Sequence, residues 1–85
     1  MTNNLLNIGF ENVLALKRVV GVIDPDSASV KRLIQEAKSQ GLLVNAASGR
    51  KVKAAVLTDT RHIFLSALGA STLRQRWSDA VSPHE

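Results

Sequence analysis

Three cationic side chains lie within four positions of each other, and they are the residues of this chain best suited to bind something. Arg50, Lys51 and Lys53 lie in residues 47–53, a short glycine-containing segment between two predicted strands. Cations of this kind neutralise phosphate groups and release their counterions, so the grouping favours contact with a polyanion. The alternative is that three charges at the tip of a hairpin are simply solvated.

Composition limits the ways in which a chain of this size can supplement its small core. The protein has 85 residues, a formal net charge of +4 and no cysteine. This length predicts one domain over residues 1–80, followed by a flexible tail at 81–85. Disulfides and thiolate metal sites are excluded, and His62 and His84 are the only soft ligands, so we expect neither a metal nor a cofactor. Association between subunits is the remaining way to supplement a small core.

Patterns that would indicate a membrane protein or an enzyme are missing from the sequence. No apolar run approaches the ~20 residues of a membrane span, and the first residues lack the order of an export signal, so we expect a cytoplasmic protein. There is also no phosphate-binding glycine loop or nucleophile elbow. Asp24 and Asp26 are the only close carboxylates, and helix capping explains Asp26. We therefore expect no catalytic activity.

Apolar runs bounded by turn residues predict six short strands. Because short neighbouring strands with tight connections pair antiparallel, these runs predict a small antiparallel sheet. One of the predicted turns is at Ser48-Gly49, between the fourth and fifth strands. The predicted strands are Leu5–Phe10, Val13–Leu16, Arg18–Ile23, Leu42–Ala47, Val52–Thr58 and His62–Leu68.

Two helices accompany the predicted strands, and the first is long and amphipathic. Its apolar residues recur at the spacing of one helical face, with Asp26 or Ser27 as N-cap and Gly41 at its end. A short second helix is predicted over 71–79, where Leu73 and Trp77 form an i, i+4 pair. The apolar stripe of the first helix consists of Val30, Leu33, Ile34 and Ala37.

The predicted fold class is therefore α+β, and its sheet carries apolar side chains on both faces. Val56 and Ala55, for example, alternate between the two faces of one strand. One long helix covers only one face, which favours self-association through the other. The alternative is that the C-terminal helix folds back over the second face, and both arrangements can hold together.

Short motifs in a fixed order resemble the RemA family of bacterial regulators of extracellular matrix genes, over about residues 5 to 68. No one motif is specific, but the ordered set is. The matching motifs are Asn7-Ile8-Gly9-Phe10, Lys17-Arg18, Pro25-Asp26-Ser27-Ala28, Lys31-Arg32, Gln35-Glu36-Ala37, Gly49-Arg50, Thr58-Asp59, His62-Ile63 and Leu65-Ser66.

The resemblance implies a DNA-binding transcriptional regulator that assembles into ring-like homo-oligomers, with duplex DNA along the outside of the ring. Arg18 and Arg50 match family arginines, and Lys51 stands where the family usually has another. Together with Lys53, these residues are the candidate DNA-binding set. For Arg18 the alternative is an ion pair with Asp24, with Asp26 or with a neighbouring subunit.

Two alternative functions are compatible with the same cationic segment. One is binding of RNA or a small anionic ligand, although three aromatic residues in the whole chain offer little for stacking on single strands. The other is a structural or partner-binding oligomer, in which Arg50 and Lys51 face acidic residues of a neighbouring subunit. No helix carries an obvious base-reading face, so a DNA-binding function would depend on the shape of the duplex.

Overall fold

The fold consists of a four-stranded mixed sheet, a separate two-stranded hairpin and two helices. The computed structural model describes residues 5–81. Of the predicted tail, Val81 ends the second helix and residues 82–85 lie outside the described range. The elements in chain order are β1 (Leu5–Gly9), β2 (Asn12–Ala15), a 3-10 turn (Leu16–Arg18), β3 (Val19–Ile23), α1 (Ala28–Ser39), β4 (Leu43–Asn45), β5 (Ala54–Thr58), β6 (Ile63–Ser66) and α2 (Ala70–Val81).

The first two strands form an antiparallel hairpin, as their sequence predicts, but they do not join the main sheet. Leu6 and Ile8 of β1 are fully buried, whereas the residues between them and beside them are exposed or half-buried. This alternation gives the hairpin one inner face and one outer face. The inner face packs into the core of the protein, beside Leu73 of α2.

The main sheet has the strand order β3-β5-β6-β4, and its pairing corrects the expectation of a purely antiparallel sheet. Strand β5 is antiparallel to β3 and to β6, but β4 is parallel to β6. The predicted hairpin between the fourth and fifth strands is therefore wrong, because β6 lies between β4 and β5. Residues 46–53 cross the end of β6 instead of turning between paired strands.

The turn at Ser48-Gly49 is nevertheless present. Both residues have positive φ, 56° and 79°, and the amide of Arg50 donates to the carbonyl of Ala47 at 3.0 Å. Two successive left-handed residues are typical of the turns that close two-residue hairpins. The local prediction was thus right about the turn and wrong about the strands that it joins.

Helix α1 begins and ends as its sequence predicts. Ser27 is the N-cap, and its Oγ accepts a hydrogen bond from the amide of Val30. At the other end Gly41 has a φ of 74°, and the amides of Gly41 and Leu42 donate to the carbonyls of Lys38 and Ala37. This pair of bonds is a Schellman motif, which satisfies carbonyls that the helix end leaves free.

Each face of the main sheet packs against different elements. On one face Ala37 and Ile34 of α1 pack against Ala55 and Ile63. On the other face α2 and the hairpin pack together over the sheet. The alternative in which the C-terminal helix folds back is therefore confirmed for residues 5–81. Side chains packed in this second cluster include Leu6, Ile8, Val22, Ala54, Val56, Leu73 and Trp77.

The helices differ from the expectation in length. Each has 12 residues, so the expected contrast between one long and one short helix is not found. Leu33 of the predicted apolar stripe remains 39% exposed, because it lies at the side of the helix and not beneath it. Within residues 5–81, neither helix is long and apolar enough to cross a membrane.

A matched pair of valines tests where the core lies. Val56 of β5 is fully buried, whereas Val44 of β4 is 40% exposed. Shortening Val56→Ala removes two buried methyl groups and leaves a cavity, so we expect the free energy of unfolding to fall by about 2–3 kcal/mol. The measurement is urea denaturation followed by circular dichroism.

Val44→Ala is the control, because it makes the same change in another strand of the same sheet. We expect it to cost less than about 1 kcal/mol, since its side chain keeps much of its contact with water. Equal losses in the two variants would contradict the assigned core.

Candidate nucleic-acid interface

The segment that contains Arg50, Lys51 and Lys53 is a loop fixed at both ends, which we call the cationic loop (residues 46–53). The amide of Ala46 donates to the carbonyl of Leu65 at 2.8 Å, and the amide of Lys53 donates to the carbonyl of Ser66 at 2.8 Å. Both acceptors belong to β6. The loop therefore crosses the end of this strand and is hydrogen-bonded to it on both sides, which restricts the conformations of its backbone.

Burial separates the two kinds of residue in the cationic loop. Ala46 and Ala47 are buried, at 7% and 0% exposure, and anchor the loop on the core. Arg50, Lys51 and Lys53 are all exposed. Within the described part of the chain, none of these three side chains is in an ion pair. Three uncompensated positive charges consequently lie together at one end of the sheet.

One of the three cations is in contact with an aromatic ring. The Arg50 Cζ atom lies 5.2 Å from the centre of the Phe10 ring, within the range of a cation–π interaction. Phe10 is at the tip of the β1–β2 hairpin and is 44% exposed. No local sequence pattern predicts this pairing, because the two residues are far apart in the chain and only the fold brings them together.

A buried hydrogen bond holds the hairpin against this end of the sheet. The Ser66 Oγ donates to the carbonyl of Ile8 at 2.7 Å and accepts from the amide of Leu68 at 3.0 Å. Ser66 is fully buried. Arg76 of α2 adds an exposed bond from its Nη1 to the carbonyl of Asn7 at 3.2 Å. Within residues 5–81 the hairpin shares no strand pairing with the main sheet, so these side-chain bonds and the packing of its inner face hold it in place.

Arg18, the fourth predicted residue, lies at the opposite end of the sheet. Its carbonyl accepts from the amide of Asp59 at 2.9 Å, and Val19 pairs with Thr58 at the far end of β5. Lys53 immediately precedes β5, whose rise of roughly 3.3 Å per residue places Lys53 and Asp59 roughly 20 Å apart. The structure brings Arg50, Lys51 and Lys53 together but does not bring Arg18 to them.

Arg18 also has an ionic partner, although not one of those expected. Its Nη1 lies 3.3 Å from the Oδ2 of Asp59, and the two side chains are 60% and 41% exposed. Exposed pairs of this kind contribute about 0–1 kcal/mol, since water already solvates both charges well. A phosphate group could therefore replace Asp59 as the partner of Arg18 at little energetic cost.

A cleft near the Arg18 end lies between α1 and strands β3, β5 and β6. Its volume is about 270 Å³, and Val20, Leu33 and Leu57 form much of its apolar lining, with Arg61 and His62 at its polar side. Val20 is 58% exposed. Among the described residues, no group of three His, Asp or Glu side chains is placed to hold a metal ion. The main feature of this cleft is thus an uncovered apolar surface.

Comparison with known proteins gives consistent matches along most of the chain. The model of the family described as RemA-like, extracellular matrix regulatory protein A-like, matches residues 5–77. A protein of Halothermothrix orenii is 46% identical over 78 residues, which cover 92% of this chain and 93% of that protein. A protein of Heliobacterium modesticaldum is 42% identical over 84 residues, which cover 99% and 92%. Both carry the name "Putative regulatory protein".

The buried hydroxyl at Ser66 provides a test of how the hairpin is held. Ser66→Ala removes the partner of two backbone groups, the Ile8 carbonyl and the Leu68 amide. Leaving buried polar groups unpaired costs about 1–3 kcal/mol, so we expect the free energy of unfolding to fall by that amount. Urea denaturation measures it.

Ser78→Ala is the matched control, because Ser78 is exposed on α2. Its expected effect is within about 0.5 kcal/mol of zero. If the two variants unfold at the same urea concentration, the Ser66 bond does not hold the hairpin.

Proposed function

This chain belongs to the RemA-like family, and on that premise we propose that it is an oligomeric, DNA-binding transcriptional regulator of the bacterial cytoplasm, without catalytic activity. The observation that carries the proposal is the cationic loop. Arg50, Lys51 and Lys53 are exposed, without an ion pair among the described residues, and supported by a backbone bonded to β6. Such an arrangement suits the phosphates of duplex DNA, which attract cations regardless of sequence.

A single subunit would bind DNA weakly. The cationic loop offers about three phosphate contacts, and Arg18 adds a fourth at a site roughly 20 Å away. Repetition of the same surface in an assembly makes later contacts intramolecular and can raise affinity by ~10²- to 10⁴-fold where the spacing fits. We therefore propose that the working form is a ring-like homo-oligomer with the cationic loops on its outside.

Exposed apolar side chains support self-association. Val20 and Leu33 lie beside the cleft on the α1 side of the sheet, with exposures of 58% and 39%. Val13, at 49%, lies on the outer face of the hairpin, which covers the α2 side. Two different apolar surfaces on opposite sides of a subunit suit a head-to-tail contact, which closes into a ring if the rotation permits.

Recognition of DNA is proposed to depend on the shape of the duplex more than on base edges. The cations lie on a short loop at the end of a sheet, and not on a helix that could enter the major groove. Phosphate contacts fix the position of a protein on DNA, while the deformability of the duplex supplies sequence preference indirectly.

Removing two charges from the cationic loop tests the site. We expect the double variant Arg50→Ala, Lys51→Ala to bind a DNA duplex at least about 10-fold more weakly. The slope of log affinity against log salt concentration should also fall by about 0.9 for each lost phosphate contact. Mobility-shift or fluorescence-anisotropy titrations at several salt concentrations measure both quantities.

Lys31→Ala, Arg32→Ala is the matched control, because it removes the same two charges from the exposed side of α1. We expect it to keep most of the affinity and the salt slope. Equal weakening by both double variants would mean that net charge, and not the cationic loop, governs binding. Titrations with single-stranded RNA and with nucleotides distinguish a duplex-binding protein from the other anion-binding functions.

A charge placed in the exposed apolar surface tests assembly. We expect Val20→Asp to reduce the mass in solution measured by light scattering, because a carboxylate would have to be buried between subunits. DNA affinity should fall together with the assembled mass, by ~10²-fold or more, because multivalent contact is lost.

Thr72→Asp serves as the control, since it introduces the same carboxylate at an exposed position on α2. It should leave the mass unchanged. A wild-type protein that is monomeric, or a Val20→Asp variant that assembles fully, would contradict the proposed contact.

A further inference from the structure

Phe10 is an exposed aromatic residue in contact with the cationic loop. The hairpin tip places its ring beside the Arg50 side chain, with the Arg50 Cζ 5.2 Å from the ring centre. Phe10 as a residue is 44% exposed, so it contributes less to the core than a buried aromatic would. Burial in the core therefore explains the position of Phe10 less well than its contact with Arg50 does.

The backbone that carries Phe10 is held in an uncommon conformation. Gly9, Phe10 and Glu11 have successive positive φ values of 100°, 53° and 65°. For residues other than glycine such values are unfavourable, and they persist only where the surroundings fix them. The tip therefore keeps this conformation only through contacts with its surroundings.

Three hydrogen bonds and one close approach supply these contacts. The Asn12 side-chain amide donates to the carbonyls of Gly9 and Phe10 at 3.0 and 3.2 Å, and the Asn7 Oδ1 accepts from the Gly9 amide at 2.8 Å. Gly9 also approaches Leu68 so closely that a Cβ atom there would lie 3.2 Å from the Leu68 Cγ. The three hydrogen bonds lie within the hairpin and fix the shape of its tip, whereas the approach of Gly9 to Leu68 places the tip at the end of the sheet that carries the cationic loop.

Arg50 keeps its donors available in this arrangement. Among the described residues, its guanidinium is in neither a hydrogen bond nor an ion pair, and within this range it contacts the Phe10 ring. Glu11, the acidic residue next to Phe10, is not paired with it. A guanidinium that lies over a ring still presents N–H groups in its own plane, and these can bind a phosphate bidentately.

We infer that Phe10 is a positioning residue, which holds the Arg50 guanidinium in an orientation that suits a phosphate contact. The inference rests on the proposed function, since it concerns how the same cationic loop binds DNA. Long cationic side chains lose rotamer freedom when they bind, and prior ordering against a ring lowers that cost. Lys51 and Lys53 have no such ring contact among the described residues, so Arg50 should contribute most to binding.

Substitutions of Phe10 in the full chain test the inference with a short DNA duplex. We expect Phe10→Leu to weaken binding about 2- to 5-fold, the range that an exposed cation–π contact supports. Phe10→Tyr keeps the ring and should bind like the wild type. In an Arg50→Ala background, Phe10→Leu should have no further effect, because the side chain that it positions is already absent.

A second readout follows the side chain itself and does not need DNA. NMR relaxation of the Arg50 Nε–H group should show greater mobility on the ps–ns timescale in Phe10→Leu than in the wild type or in Phe10→Tyr. Circular dichroism and light scattering establish that each variant is folded and assembled. A Phe10→Leu variant that has lost assembled mass would place Phe10 in a subunit contact and overturn the inference.

The outcomes separate this inference from the proposed function. If Arg50→Ala leaves DNA affinity unchanged, the proposed binding site is wrong. If Arg50→Ala weakens binding but Phe10→Leu binds and relaxes like the wild type, only the role of Phe10 is wrong. An equal loss on Phe10→Leu with and without Arg50 would also overturn it, because Phe10 would then act independently.

Discussion

The buried hydrogen bond from Ser66 to the carbonyl of Ile8 joins the two parts of this fold. The hairpin and the main sheet share no strand pairing, so the hairpin is held by packing of its inner face and by this bond. A hydroxyl in an apolar core costs free energy unless it is hydrogen-bonded, and Ser66 uses both its donor and its acceptor functions. Its geometry therefore determines where the hairpin tip lies relative to the cationic loop.

The same bond connects core packing to the proposed function. Ser66 is the last residue of β6, and its own carbonyl accepts the amide of Lys53. Its side chain thus fixes the hairpin while its backbone fixes the cationic loop. Phe10 and Arg50, one on each of these segments, meet because both segments are tied to a single buried residue. In this arrangement the stability of the core and the orientation of the exposed cations are not independent.

Features that depend on neighbouring residues could be predicted from the sequence. The caps of α1 at Ser27 and Gly41 and the left-handed turn at Ser48-Gly49 are set by local backbone chemistry, and all are present. Strand pairing is not local. The same turn can close a hairpin or lead the chain across another strand, and only the competition between β4 and β6 as partners for β5 decides between them.

The candidate site shows the same limit. The charges of Arg50, Lys51 and Lys53 are evident in the sequence, as is their clustering. Two contacts of the site link segments that are distant in the chain, so no local sequence pattern predicts them. They are the approach of Phe10 to Arg50 and the ion pair of Arg18 with Asp59. Similarly, Lys53 precedes β5 and Asp59, the partner of Arg18, follows it, so the length of this strand separates the two cations. A list of cationic residues in the sequence does not show at which end of the sheet each one lies.

Helix α2 gives the fold a particular order of completion during synthesis. Leu6 and Ile8, close to the start of the chain, share a cluster with Leu73, which is made much later. The nascent chain can form the hairpin and the sheet first, but the apolar side of the hairpin lacks part of its cover until α2 has left the ribosome. A chain truncated within α2 would leave that apolar surface exposed to water, which favours aggregation.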